Sequence, residues 1–303
     1  MKINENFVVE TMGDNRYFFS NRENGKGYYI TGRLELDEAV LLQKMPPSLV
    51  KIGYLVPTDH EVRKRNVVND ILNFKQETHA GKLLGWMIFG IIISFFSMIT
   101  LAFDHKEIFA IELNTVSGIQ GAILFFVGIL FVHEVFHIIA ARMQQIEVVK
   151  VGFRLKYYFF PIAYVRILAT GNNLKRANVA LAGNLADVLL ANIYLLLFLN
   201  FQEPIYAIAF SLQLTMLFFN YNLLLPTDFT IFLLSLIRKP DFRANAIAYT
   251  KFKLRVGKKV KESLLTAGRG VRFAYLAYGL AFYGFLATLM VTFAINMYRI
   301  LLG

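Results

Sequence analysis

The sequence predicts an all-α polytopic membrane protein carrying a small α+β domain ahead of its spans. Three observations predict it. Of the 303 residues, 56% are apolar and only 17% are charged. The mean hydropathy is +0.48. Several apolar runs reach the roughly 20 residues needed to cross a hydrocarbon core, where a soluble chain would break them into short amphipathic stretches.

Residues 1–82 carry 12 basic and 11 acidic residues and no long apolar run. No cleavable signal is expected there, and the segment is expected to stay in the cytosol. Residues 7–10 and 16–20 flank Gly13-Asp14-Asn15 and read as a β-hairpin. Residues 34–42 and 47–55 read as short amphipathic helices, which together suggest a winged-helix-like module or a plain cytosolic cap. About five spans follow, at 83–103, 118–141, 179–201, 205–225 with an apolar continuation to 237, and 273–297. Trp86 near the start of the first suits an interfacial anchor. The chain thus divides into an N-terminal domain (1–82), a membrane core (83–237), and a basic loop with a final span (238–303).

The connections set the orientation, because basic loops stay in the cytosol. Residues 104–116 hold one basic residue against three acidic, and 201–204 hold none. Residues 142–176 hold seven basic against one acidic, and 238–272 hold eleven against two. A multi-pass protein of the cell membrane is expected, with a cytosolic N-terminus and the C-terminus on the far side. The net charge of +11 is concentrated between apolar segments, so it reads as a topology signal and not as a nucleic-acid footprint. The chain has no cysteine, which excludes disulfides, thiolate metal sites and a cysteine nucleophile.

The second span contains His133-Glu134-Val135-Phe136-His137, the H-E-x-x-H pattern. Four residues rotate a helix by about 400°, so both imidazoles share one face and can grip one Zn2+. Glu134 follows the first ligand by one position and is placed to move a proton between water and a leaving amine. An ionisable residue inside a span costs on the order of 2–3 kcal/mol or more, so Glu134 marks a functional site. The plainer alternative is that the three side chains only hydrogen-bond between helices.

A hydrolytic zinc site wants three protein ligands and one open position. Asp187 and Asp228 are the carboxylates in apolar surroundings. Asp228 is favoured, because Pro226 in Asn222-Leu-Leu-Leu-Pro226-Thr-Asp228 breaks the helix near the membrane boundary and lets a carboxylate turn inward. The alternative role is an N-cap for 229–236. His137 precedes Arg142 by five residues and Asp228 precedes Arg238 by ten, which sets the proposed ligands toward the cytosolic side.

These residues resemble the site-2 protease family of intramembrane zinc metallopeptidases. The likeness rests on His133-Glu134-x-x-His137, on the Asn222…Pro226…Asp228 segment, and on Leu181-Ala-Gly183-Asn184-Leu-Ala-Asp187, across roughly 118–237. It implies that His133, His137 and Asp228 hold zinc and that Glu134 is the general base, with Asn222, Asp187 and Asn184 near substrate or behind the ligands. It also implies a membrane-associated β-hairpin, here at 148–167, that takes substrate as an added strand; an amphipathic loop on anionic lipid is the alternative. Phe229 stands where the family has Gly, Asp187 where it has Asn and Asn184 where it has Pro, and no PDZ-like domain is present.

The expected function is therefore hydrolysis of a peptide bond in a membrane-embedded or membrane-delivered substrate. Two substrates suit it: a transmembrane regulator, or a ribosomally made precursor peptide handled by the N-terminal domain, as in the branch of the family associated with ribosomal peptide maturation. The expected partners are that substrate and the lipid bilayer, with no nucleic acid. The rival is a non-catalytic zinc-binding accessory, immunity or transport protein, and Glu134 separates the two, since a structural zinc site has no use for a general base.

Overall fold

A computed structural model describes residues 2–302 apart from 14, 33, 35–37, 45, 58–66, 75, 111–113, 157–159 and 257–261. It contains two compact units, Met1–Leu217 and Phe218–Gly303, whose boundary falls in the last turn of one helix.

The first unit opens with β1 (Lys2–Ile3), β2 (Phe7–Thr11), β3 (Arg16–Asn21) and β4 (Gly27–Thr31), followed by helices α1 (Glu38–Lys44) and α2 (Pro47–Lys51) and strand β5 (Leu55–Val56). Strands β2, β3 and β4 form an antiparallel sheet in that order, and β1 pairs with β5. The expected hairpin is thus β2–β3, extended by a third strand. Phe19 lies under it with Phe7, Leu41, Leu49, Tyr54 and Leu55, and both phenylalanine rings meet Tyr54 edge-on at 5.6 and 4.9 Å. The second helix, expected over 47–55, is shorter. Pro47 starts it, Gly53 at φ +80° turns the chain, and Leu55 is released to pair with Ile3. The first, expected over 34–42, is seen as Glu38–Lys44; residues 35–37 lie outside the described residues.

A short helix α3 (Val68–Ile71) leads to α4 (Ala80–Asp104). Helix α5 (Thr115–Val127) continues through a π-helical segment, Gly128–His133, into α6 (Glu134–Met143). Strands β6 (Val148–Lys156) and β7 (Phe160–Ile167) pair antiparallel, Val148 opposite Ile167 and Gly152 opposite Tyr164. Their connection at 157–159 lies outside the described residues. Then come α7 (Asn173–Phe201) and α8 (Pro204–Asn220). Among the described residues four helical runs are long and apolar enough to cross a membrane: Ala80–Asp104, Thr115–Met143, Asn173–Phe201 and Arg269–Arg299.

Helix α7 is the central one of this unit, with 72% of its apolar window buried against 17% for α4 and 11% for the α5–α6 run. Ala177, Ala180, Ala182, Gly183, Ala186 and Ala191 lie buried along it, and such small residues let neighbouring helices approach closely. It starts six residues before the expected span because Asn172 caps it, accepting from the amides of Leu174 and Lys175.

Polar contacts fix the N-terminal sheet to both roots of the β6–β7 pair. Arg22 donates twice to Glu147 at 2.7 Å, Ser20 donates to the Ala169 carbonyl, and Glu10 accepts from Gly171 N–H at 3.0 Å. Asn69 of α3 pairs with the backbone N–H and C=O of Val148 as a neighbouring strand would. Arg142, expected to open a cytosolic loop, is 1% exposed and donates to the carbonyls of Leu72, Asn69 and Ile146. The end of α6 is thereby tied to the segment entering the first long helix.

In the second unit the apolar continuation to residue 237 is a separate helix, α9 (Asp228–Leu236), after an irregular segment at 221–227. Asn222 turns the chain there, its Oδ1 accepting from Leu224 N–H at 2.8 Å. Helix α8 accordingly ends at 17 residues, about 25 Å, a little short of a roughly 30 Å hydrocarbon core. Helices α10 (Phe242–Lys253), α11 (Glu262–Leu265) and α12 (Arg269–Leu302) complete the unit. Ala246 and Tyr249 pack against Tyr275 and Leu264.

Candidate active site

His133 closes the π-helical segment and His137 lies one turn on in α6. A π-segment inserts a residue into the helical ladder and re-aims side chains beside it, and such bulges concentrate at functional sites. The two rings meet at 81° with centroids 4.7 Å apart.

Each imidazole is held from behind by α7. His133 Nδ1 lies 2.9 Å from Asp187 Oδ1, and His137 Nδ1 lies 2.6 Å from the Val179 carbonyl. A carbonyl and a carboxylate only accept, so both Nδ1 atoms carry the proton and donate it. In neutral rings both Nε2 atoms are then the lone-pair nitrogens. They face each other at 3.1 Å, where two lone pairs repel. A cation between them reverses the sign of that interaction, and holding imidazole ligands by their far nitrogens is how proteins orient metal sites.

Gly183 makes this approach possible. A Cβ built there would lie 2.6 Å from His133 Cε1 and 2.7 Å from His137 Cε1 and Nε2, so only glycine lets α7 pass this close to the rings. Asn184 follows, fully buried, with Nδ2 donating to Ala180 and Oδ1 without a hydrogen-bond partner among the described residues. Asp187 is also fully buried, and Gln213 of α8 donates to its backbone carbonyl at 3.2 Å. Glu134, between the histidines in sequence, is the first residue of α6 and is half-buried.

Asp228 and Asn222 belong to one loop–helix junction of the second unit. The capping role open to Asp228 falls to Thr227, whose hydroxyl accepts from Thr230 N–H. Asp228 is the first residue inside the helix, half-buried. Phe229 has no left-handed backbone angle, so glycine is not required at that position, and its ring packs against Tyr221 in a tilted contact with centroids 4.6 Å apart. Tyr278 of α12 donates to the Leu223 carbonyl at 2.9 Å, and Arg243 of α10 to that of Leu224 at 3.4 Å.

The structure therefore brings His133, His137 and Asp187 together, with Asn184 on the helix that backs them; Asn222 lies in the irregular segment before α9, and Asp228 is the first residue of α9. Sequence reasoning missed the Val179 carbonyl, which no side-chain pattern reveals. It also missed Gln213, a buried polar residue in an apolar helix, which was the available signal.

The model of peptidase family M50 matches residues 121–298 of the chain, more than half of its length, including both histidines, Glu134, Asp187 and Asp228. No curated protein and no solved structure matches it. Together with four helices fit to cross a bilayer, the match identifies a membrane protein: the chain belongs to peptidase family M50, the site-2 protease family of membrane-associated metallopeptidases.

Proposed function

We propose that the protein is an intramembrane zinc metalloprotease that hydrolyses a peptide bond in a membrane-embedded or membrane-delivered peptide. The observation that carries this reading is the pair of Nε2 atoms that face each other at 3.1 Å on an H-E-x-x-H helix. Two imidazoles bound to one tetrahedral zinc at 2.0–2.1 Å set their nitrogens about 3.3 Å apart, close to that separation. The donor set is hard-to-borderline nitrogen and oxygen, as zinc accepts.

In this reading His133, His137 and Asp228 hold the ion. The assignment of Asp228 rests on the family motif Asn222…Pro226…Asp228. Bound zinc supplies Lewis acidity, polarising the scissile carbonyl and lowering the pKa of water. Glu134 takes the proton from the attacking water and returns it to the amine nitrogen as the C–N bond breaks. The paired strands β6 and β7 lie on the membrane surface and present an edge to an extended substrate; Asn69 already covers that edge at Val148, so substrate pairs from Lys150 onward. The N-terminal domain, fixed to both roots of this pair, is placed to deliver a peptide to it. Helix α8 supplies the fifth crossing, and the basic connections put the N-terminus and the active site toward the cytosol.

The test is Glu134→Gln. Zinc content at the wild-type level with cleavage lost supports the protease; a biological output that survives Glu134→Gln but not His133→Ala makes the protein a zinc-binding accessory factor.

A further inference from the structure

We infer that Asp187 is a positioning residue of the metal site, acting on the ion through His133. The inference rests on the zinc reading above and extends it to a residue that ligates nothing.

Neutral imidazole exists as two tautomers, and the one with its proton on Nε2 turns an N–H toward the metal position and cannot bind there. The group behind the ring decides between them. Asp187 Oδ1 lies 2.9 Å from His133 Nδ1, and a carboxylate only accepts, so it selects the binding tautomer. An amide in its place presents either its oxygen or its NH2 and permits both.

The surroundings of Asp187 are arranged for this role. Its side chain is fully buried, so His133 is the neighbour through which it acts, not solvent. Gln213 of α8 holds its backbone carbonyl, and Gly183, one turn back on α7, keeps the same helix close enough for the contact. The two histidines are therefore supported differently. His137 leans on a backbone carbonyl that no substitution removes, whereas His133 depends on one replaceable side chain. The Asp187 carboxylate also sets a negative charge behind the His133 ring. In a low-dielectric site a charge behind the ring makes it a more basic metal ligand.

The experiment uses the full chain in detergent, as wild type, Asp187→Asn and Asp187→Ala. Zinc affinity is measured by competition with a chelator. The tautomer of His133 is measured in metal-free protein by nitrogen NMR, which five histidines in the chain make assignable. Asp187→Asn is nearly isosteric and retains the fold if Asp187→Ala does not. The inference expects zinc to bind roughly 10- to 100-fold more weakly in the variants, together with loss of the Nδ1-protonated bias at His133. Wild-type affinity in Asp187→Asn overturns it, as does weakened binding with the His133 tautomer unchanged, which would mark a packing role. Absence of zinc binding by wild type sinks the protease reading instead, while the tautomer comparison still decides the role of Asp187.

Discussion

His133 and His137 turn their Nε2 atoms toward each other at 3.1 Å, because Asp187 and the Val179 carbonyl claim both opposite nitrogens. Four residues of helix explain why the rings share a face. They do not explain why both lone pairs point at one position. That is set by α7, and it makes the geometry of the two rings sensitive to changes on a neighbouring helix.

Gly183→Ala tests that sensitivity. Alanine favours a helix over glycine by up to about 1 kcal/mol, so a purely local account expects no loss. The added methyl would instead lie 2.6–2.7 Å from both imidazoles and push the rings or the helix away. Zinc content should fall sharply with little change in secondary structure by circular dichroism. Full zinc occupancy in this variant would contradict the close approach.

For Glu134→Gln we expect metal content near wild type and peptide cleavage reduced by about 10²–10⁴-fold, the range for removing a general base. The readout is turnover of a fluorescent transmembrane or precursor peptide, set against zinc analysis of the same sample.

Tyr278→Phe removes the hydroxyl that holds Leu223 in the loop leading to Asp228. The loss should be about 1 kcal/mol of local stability. If Asp228 is a ligand, zinc affinity should drop several-fold in a chelator competition, and Arg243→Gln should act in the same direction through Leu224.

Arg22 and Glu147 form a two-pronged ion pair, part-buried at 32% and 17% side-chain exposure. The hydrogen bonds to Glu147 raise the Arg22 guanidinium above its ordinary range, against a smaller opposing effect of burial. A raised value means the stabilisation is fully present below the guanidinium's ordinary range and is lost only as pH climbs through the still higher folded value. Arg22→Ala should therefore cost at most about 1 kcal/mol and cost the same at pH 6 as at pH 9 in thermal melts. A penalty that disappears by pH 9 would contradict the assignment.

Much of this site was legible because its chemistry is written in side-chain identity and spacing. His133, Glu134 and His137 announce themselves inside an apolar run, and Asp187 and Asp228 stand out as charges beside spans. The roles of the surrounding residues were less legible. Gly183 belongs to a recognisable motif, yet only its distance to the rings shows that glycine is required. The contact from Val179 is made by backbone, which has no sequence signature. Strand β4 begins in Asn24-Gly25-Lys26-Gly27, which reads as loop, and becomes a strand by pairing with β3 from Ser20 opposite Gly27. Asp228 looked able to cap α9 because Thr and Asp both do so; geometry gave the cap to Thr227. The spans were legible in number to within α8, whose 17 residues stop where Asn222 turns the chain.

The most direct measurement is the zinc content of detergent-purified protein, by elemental analysis, for wild type beside His137→Ala and Asp228→Ala. The account predicts about one zinc per chain in wild type and loss in both variants. Zinc-free wild type, or zinc retained after either substitution, would contradict it.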